Sequence, residues 1–312
     1  MLRQDTVSTS VELPMATAAP RVRGLLTTAR DYVALTKPRI VMLLLITTVP
    51  AMILAEGGVP SLWLVLLTLA GGTLSAGGAN AINCYLDRDI DGIMHRTRGR
   101  PLPAGWVAPE HALLFGIALG LAGFELLALG VNVLSAALAM SALLFYVFVY
   151  TLWLKRTSTQ NIVIGGAAGA LPPVIGWAAV TGSLDWPALL LFGIIFLWTP
   201  PHFWALALRY RADYERAGVP MLPVVRGEQE TNRQIVLYSV VLGAASIALV
   251  PVAGMGLLYL ASALALSAGF VALAVRLWRD PHPRASRALF LYSLLYLGVL
   301  FIAVALDRLV AA

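Results

Sequence analysis

Long apolar runs dominate this chain. Nine stretches, over approximately residues 40–56, 61–84, 110–130, 132–154, 162–181, 186–208, 234–253, 255–277 and 288–306, are apolar for close to a membrane's thickness each. About 20 residues at 1.5 Å rise cross a hydrocarbon core, so each run predicts a membrane-spanning helix. The runs are continuous instead of alternating with period two, which selects helices over barrel strands. The shallowest division, between the seventh and eighth, is marked only by Ala253-Gly254 and Gly256. Residues 1–32 have no apolar core of the signal-peptide kind, and their Ser, Thr, Pro and Ala content predicts a disordered cytoplasmic tail ahead of an intramembrane domain over 33–312.

Composition narrows the class further. Hydrophobic residues make up 59% of the 312 and charged residues 12%, where a soluble domain carries about 25% charged residues. One cysteine, Cys84, excludes a disulfide scaffold. The net charge of +6, from 22 basic and 16 acidic residues, reads as membrane topology and not as nucleic-acid binding. Every Lys and Arg except Arg308 lies before the first span or at the edge of or within the loops after spans two, four, six and eight, and the opposite loops hold none. That asymmetry places the N-terminus in the cytoplasm and the C-terminus outside, in a multi-pass protein of the inner (cytoplasmic) membrane.

The informative residues are polar ones beside the membrane. After span two the chain reads Asn83-x3-Asp87-x3-Asp91. On a continuing helix these fall at i, i+4 and i+8, a line along one face with about 6 Å of rise per step, while Asp89 points elsewhere. Oxygen donors in a row suit Mg²⁺, which takes one or two carboxylates and leaves positions for water and substrate phosphate. The competing reading, a solvated helix end with scattered charges, is weakened because the line leaves a membrane helix and enters an Arg-rich loop.

Span six and its loop carry a second cluster, Trp198-Thr-Pro200-Pro201-His202 followed by Arg209, Asp213 and Glu215. Paired prolines free backbone groups, which membrane helices tolerate where those groups face protein or a cavity. His202 is therefore either a substrate contact or a histidine satisfied by a carbonyl. Arg209 and Asp213, four apart, either belong to a site or form a surface ion pair. A third cluster, Tyr146, Tyr150, Lys155, Arg156 and Asn161, is either a binding patch or an interfacial anchor. Lys37 and Lys155, the only lysines, share the cytoplasmic side. Glu125, inside span three, is expected to face the bundle interior or a cavity. Gly71, Gly72, Gly77 and Gly78 above the first motif serve close packing or leave room for a ligand.

The two acidic loops are four spans apart, and Arg100-Pro-Leu-Pro103 weakly echoes Pro220-Met-Leu-Pro223. The architecture expected is all-α: nine transmembrane helices, two four-helix pseudo-repeats plus a ninth helix, around a central cavity open to the cytoplasm. A carboxylate-held Mg²⁺ with several cations in a lipid-facing bundle specifies a substrate with a diphosphate head and an apolar tail. An allylic diphosphate is the natural candidate, since its cation is resonance-stabilised and a dry cavity protects it from water.

These residues resemble the UbiA superfamily of intramembrane prenyltransferases, and within it the heme-farnesylating (protoheme IX farnesyltransferase, or heme O synthase) family. Besides the Asn-Asp-Asp line, the resemblance rests on Leu35-Thr-Lys37-Pro-Arg39, Arg96-Thr-Arg98 with Arg100-Pro-Leu-Pro-Ala-Gly105, Lys155-Arg-Thr, Asn161-Ile-Val-Ile-Gly-Gly166, Pro172-Pro-Val-Ile-Gly-Trp177, Pro201-His-Phe203 and Asp213-Tyr214 with Ala217-Gly-Val-Pro-Met-Leu-Pro223. It covers about residues 33–306. It implies farnesyl diphosphate and heme B as substrates and heme O as product, with membrane lipid around the chain and a downstream heme-modifying enzyme or oxidase assembly factor as further partners. Carried over, Asn83, Asp87 and Asp91 hold Mg²⁺ on the diphosphate, Asp213 belongs to a second metal cluster, and Lys155, Arg156 and Arg88 bind diphosphate. Lys37 and Tyr150 are further candidates for the substrate site, and His202 is expected to contact the heme, as iron ligand or propionate donor. Other members commonly carry two aspartates in the second motif where this chain has Arg209 and Asp213. That leaves one Mg²⁺ or two, with Arg209 as a fixed charge in place of the second. The competing functions are another prenyl transfer, to a quinone precursor or chlorin, and a noncatalytic heme transporter or chaperone.

Overall fold

The computed structural model describes residues 24–311. Among them there is no strand, and nine helices are long and apolar enough to cross a membrane. An amphipathic helix α1 (Leu25–Leu35) leads into α2 (Pro38–Glu56), α3 (Leu62–Leu86), a short α4 (Arg88–Ile93) and α5 (Pro109–Gly130). There follow α6 (Val133–Thr157), α7 (Asn161–Thr181), α8 (Trp186–Arg209), short α9 (Arg211–Arg216) and α10 (Leu222–Val225), then α11 (Gly227–Ala253), α12 (Leu257–Arg279) and α13 (Pro283–Ala311). The nine long helices coincide with the nine apolar runs, each within a few residues except where polar turns extend them. The expected tail is described only from residue 24, and there α1 already begins at Leu25; the rest of it lies outside the described residues.

The packing of α3 on α5 uses bare backbone. A Cβ at Gly78 would come within 2.6 Å of the Gly116 carbonyl oxygen, and one at Gly123 within 2.7 Å of the Ser75 nitrogen. Small residues let membrane helices approach this closely and gain dispersion contacts where no hydrophobic drive separates helix from lipid. Gly71 is likewise filled by Leu127 and Gly77 by Thr36, while Gly72 meets nothing. The small residues above the first motif thus act chiefly in helix packing. α7 is the most enclosed span. Its two halves, Asn161–Ala170 and Pro172–Thr181, meet at Leu171; the first lies on α8 and the second on α2 and α6.

Two local breaks aim the polar residues. In α6 the stretch Phe145–Leu154 is π-helical, and the Thr151 hydroxyl donates to the Tyr146 carbonyl five residues back at 2.8 Å. A widened turn shifts the phase of the residues after it and is common at functional sites. α8 continues through Pro200 and Pro201 but stops at Arg209, where Tyr210 leaves helical geometry.

Glu125 corrects an expectation. It is exposed on the outer side of α5 and not turned into the bundle. It lies five residues before the helix ends at Gly130, a rise of about 7.5 Å, so its carboxylate can snorkel toward the interface.

Candidate active site

α3 ends at Leu86, and Asp87 caps it with φ −90° and ψ 4° before α4 resumes. The backbone ladder survives the bend: Asp87 N donates to Asn83 O at 2.9 Å and Asp91 N to Asp87 O at 2.8 Å. The three side chains therefore keep their shared line, and all are buried: Asn83 is 3% exposed, Asp87 0% and Asp91 2%. Between them the exposed Arg88 and Asp89 point outward. Arg88 donates to the Tyr85 carbonyl at 2.7 Å and lies over the Tyr85 ring, so it stands apart from the line it was expected to serve.

Each buried carboxylate is matched by a cation from another part of the chain. Lys155 of α6 pairs with Asp87, and Arg100 of the loop after α4 pairs with Asp91 at 2.6 Å. The Lys37 ammonium donates to Asn83 Oδ1 at 2.6 Å, and Asn83 Nδ2 donates to Asp87 Oδ2 at 2.7 Å and Thr151 Oγ1 at 3.0 Å. Lys37 itself is the only non-glycine with positive φ among the described residues, at 52°. That left-handed turn, a strain of about 1–3 kcal/mol, heads α2 and delivers the ammonium to Asn83. Burial lowers the Lys37 pKa from its ordinary value. Arg156 grips the exposed Asp89 at 2.7 and 2.8 Å, with Asp87 Oδ1 at 3.9 Å. Its guanidinium holds the Asp89 carboxyl down to about 2.

The second acidic loop reaches the first. Because α8 stops at Arg209, the four-residue pairing of Arg209 with Asp213 does not form; Arg209 is exposed beside the Tyr210 ring. Asp213 instead pairs with Arg216 and accepts from the Arg96 backbone nitrogen at 3.4 Å. Burial raises its carboxyl, but the hydrogen bonds from Arg216 and from the Arg96 and His95 backbone outweigh this and hold it below the ordinary range. Ile90, Met94, Ile162, Tyr214 and Met221 pack beneath this meeting, with Tyr150 against them. Tyr150 also stacks on Tyr146 at 5.2 Å.

His202 stands apart. Its ring lies between Trp198 and Phe290 at 4.3 and 4.8 Å, and its Nδ1 is 2.6 Å from Ser293 Oγ on α13. Ser293 gives its proton to the Phe290 carbonyl, so it accepts from Nδ1–H, and Nε2 carries the lone pair. Arg100, Thr151 and Arg216 join the polar assembly although no sequence motif assigned them a role. Thr151 had a legible signal, since it precedes Lys155 by one helical turn. Arg100 heads the Arg100-Pro-Leu-Pro-Ala-Gly105 motif without a role having been read from it, and Arg216 had no signal beyond lying in a basic run.

The oxygen donors suit a hard cation. Asp87 Oδ1 is enclosed without a hydrogen-bond partner, the condition of an acceptor awaiting a positive ligand. Among the described residues no group of three or more His, Cys, Asp or Glu converges on a common metal position.

Comparison with known proteins gives a consistent family. The profile of the UbiA prenyltransferase family matches residues 44–303. "Protoheme IX farnesyltransferase 1" of Saccharopolyspora erythraea is 54% identical over 94% of this chain and 94% of its own. The protoheme IX farnesyltransferase of Gloeobacter violaceus is 55% identical over 93% and 94%, and that of Symbiobacterium thermophilum 58% over 89% and 94%. Among solved structures, digeranylgeranylglyceryl phosphate synthase aligns with TM-score 0.76 at 18% identity, over 91% of this chain and 99% of that one. A UbiA homolog from Archaeoglobus fulgidus bound to DMAPP and Mg²⁺ aligns with TM-score 0.62 at 18% identity, over 90% and 100%. At such identities the structures speak for the fold alone.

Proposed function

The chain belongs to the UbiA prenyltransferase family, and on that premise we propose that it transfers a farnesyl group from farnesyl diphosphate to a vinyl group of heme B, with addition of water, giving heme O and diphosphate. The observation that carries this is identity of 54–58% to protoheme IX farnesyltransferases across about nine-tenths of both chains. The inner membrane, with the N-terminus cytoplasmic, is the location this reading takes from the one-sided Lys and Arg.

In this reading Asn83, Asp87 and Asp91 hold one Mg²⁺. When bound, that ion offsets the negative charge gathering on the departing diphosphate. Lys155, Arg100 and Lys37, which pair with those side chains in the ligand-free protein, pass to phosphate oxygens when the donor arrives. Asp213, already neutralised by Arg216, braces the Arg96 loop over the site; Arg209 supplies fixed positive charge at its rim.

The donor's C–O bond breaks with its electron pair leaving on diphosphate. The terminal vinyl carbon supplies the pair for the new C–C bond, and the positive charge comes to rest on the carbon beside the porphyrin. Water adds there and loses a proton, so no strong base is required. In this reading the Tyr150 and Tyr146 rings border the donor site, where an aromatic face would stabilise the farnesyl cation, and the enclosing helices keep water from it until the acceptor has reacted.

His202 serves the acceptor, with Nε2 as iron ligand. Loss of heme affinity and a shifted heme absorbance in His202→Ala are expected; unchanged affinity and turnover would remove the assignment. An acceptor panel separates the functions. Heme B, a quinone precursor and a chlorin are each supplied with farnesyl diphosphate and Mg²⁺, and prenylation of heme B alone is expected. Prenylation of another acceptor would move the substrate, and heme binding without diphosphate release would make the protein a carrier.

A further inference from the structure

Asn161, the first residue of α7, is 1% exposed, and neither its Nδ2 nor its Oδ1 has a hydrogen-bond partner. No other described side chain has both polar atoms enclosed in that state. An amide stripped of water and given nothing in return destabilises the fold that holds it, so its presence asks for a reason. Its location offers one. Gly165, one turn further, shares its helix face, and a Cβ on Gly165 would overlap the Tyr150 ring. The next residue, Ile162, packs with Ile90, Met94 and Tyr214. Asn161 thus stands where α4, α6 and α9 meet, the elements that carry Asp91, Lys155 and Asp213. Tyr150, on its face, lies within electrostatic reach of Asp87, Asp91 and Arg96.

We propose that Asn161 is a further binding residue for the prenyl donor, its Nδ2 donating to a phosphate oxygen that no group of the ligand-free protein replaces. This rests on the diphosphate reading of the site. A neutral donor adds a directed hydrogen bond among the cations without competing for the carboxylates, and it is kept unpaired until the donor enters.

Asn161→Leu, close in shape and without polar atoms, separates this role from a structural one. In the purified full chain, thermal unfolding without ligand is expected at or above the wild-type temperature, because an unsatisfied amide has been removed. Affinity for inorganic pyrophosphate with Mg²⁺ is expected to fall about tenfold or more, the weight of a hydrogen bond to a charged group, with heme B affinity unchanged. Unchanged pyrophosphate affinity would overturn the proposal and leave Asn161 a holder of buried water. A lowered unfolding temperature with both affinities reduced together would make it structural. If Asn161→Leu does not fold, Asn161→Ala decides by the same comparison. Failure of the wild-type chain to bind pyrophosphate with Mg²⁺ would instead overturn the diphosphate reading itself, and this proposal with it.

Discussion

Asp87→Asn is expected to lower prenyl transfer by about 10²–10³-fold or more, the scale on which removal of a preorganised electrostatic group acts. Asp87 is wholly buried, and its carboxylate is reached by Lys155, Asn83 and, more distantly, Arg156. The amide keeps the shape but removes the charge that balances Lys155 and the oxygen pair that would meet a cation. Turnover at saturating Mg²⁺ and farnesyl diphosphate is the measurement, with thermal unfolding to show that the chain still folds. Asp89→Asn is the matched control two residues away: its carboxylate is exposed and pairs with Arg156 outside the line, and exposed pairs are worth about 0–1 kcal/mol. Near wild-type turnover in Asp87→Asn would detach the Asn-Asp-Asp line from the chemistry.

The second large effect concerns the scaffold. Gly78→Val is expected to destabilise the protein by about 3 kcal/mol or more, at or beyond the upper end for overpacking a tight core. The atoms a Cβ would strike are the Gly116 carbonyl oxygen and the Gly120 nitrogen and Cα, backbone that cannot rotate away, so α3 and α5 must separate. Asn83 lies five residues further along α3, and displacement of that helix withdraws the first member of the line from Lys37 and Thr151. Thermal unfolding in detergent and activity are expected to fall together. Gly72→Ala, on the same helix with nothing within 4 Å of its Cβ position, is the control that stays near wild type. Equal stability of the two variants would contradict the packing.

The nine spans were legible because hydrocarbon thickness imposes a length on every apolar run, and no tertiary detail alters that. The Asn83-Asp87-Asp91 line was legible for a related reason: periodicity survives even the cap at Asp87, since the backbone ladder bridges it. Arg209 with Asp213 failed under the same periodicity because α8 stops at Arg209, and nothing in Arg-Tyr-Arg announces that stop. Which cation meets which member of the line was not legible, although Lys155 and Lys37 were named for the site. Lys155 meets Asp87 from just beyond the π-helical stretch of α6, and Lys37 meets Asn83 from a left-handed turn, neither of which the sequence pattern marks. Glu125 was misplaced because cost in the membrane depends on depth, and a residue near a helix end escapes it. His202 was marked by the proline pair before it, yet its partners Ser293 and Phe290 come from α13, some ninety residues away, a distance no local pattern spans.

The central claim is tested most directly by supplying heme B, farnesyl diphosphate and Mg²⁺ to the purified protein and separating the products by chromatography with mass detection. A single new heme is expected, heavier than heme B by one farnesyl group and one hydroxyl group, and absent when Mg²⁺ is chelated. Heme B recovered unchanged from a folded, heme-binding protein would contradict it.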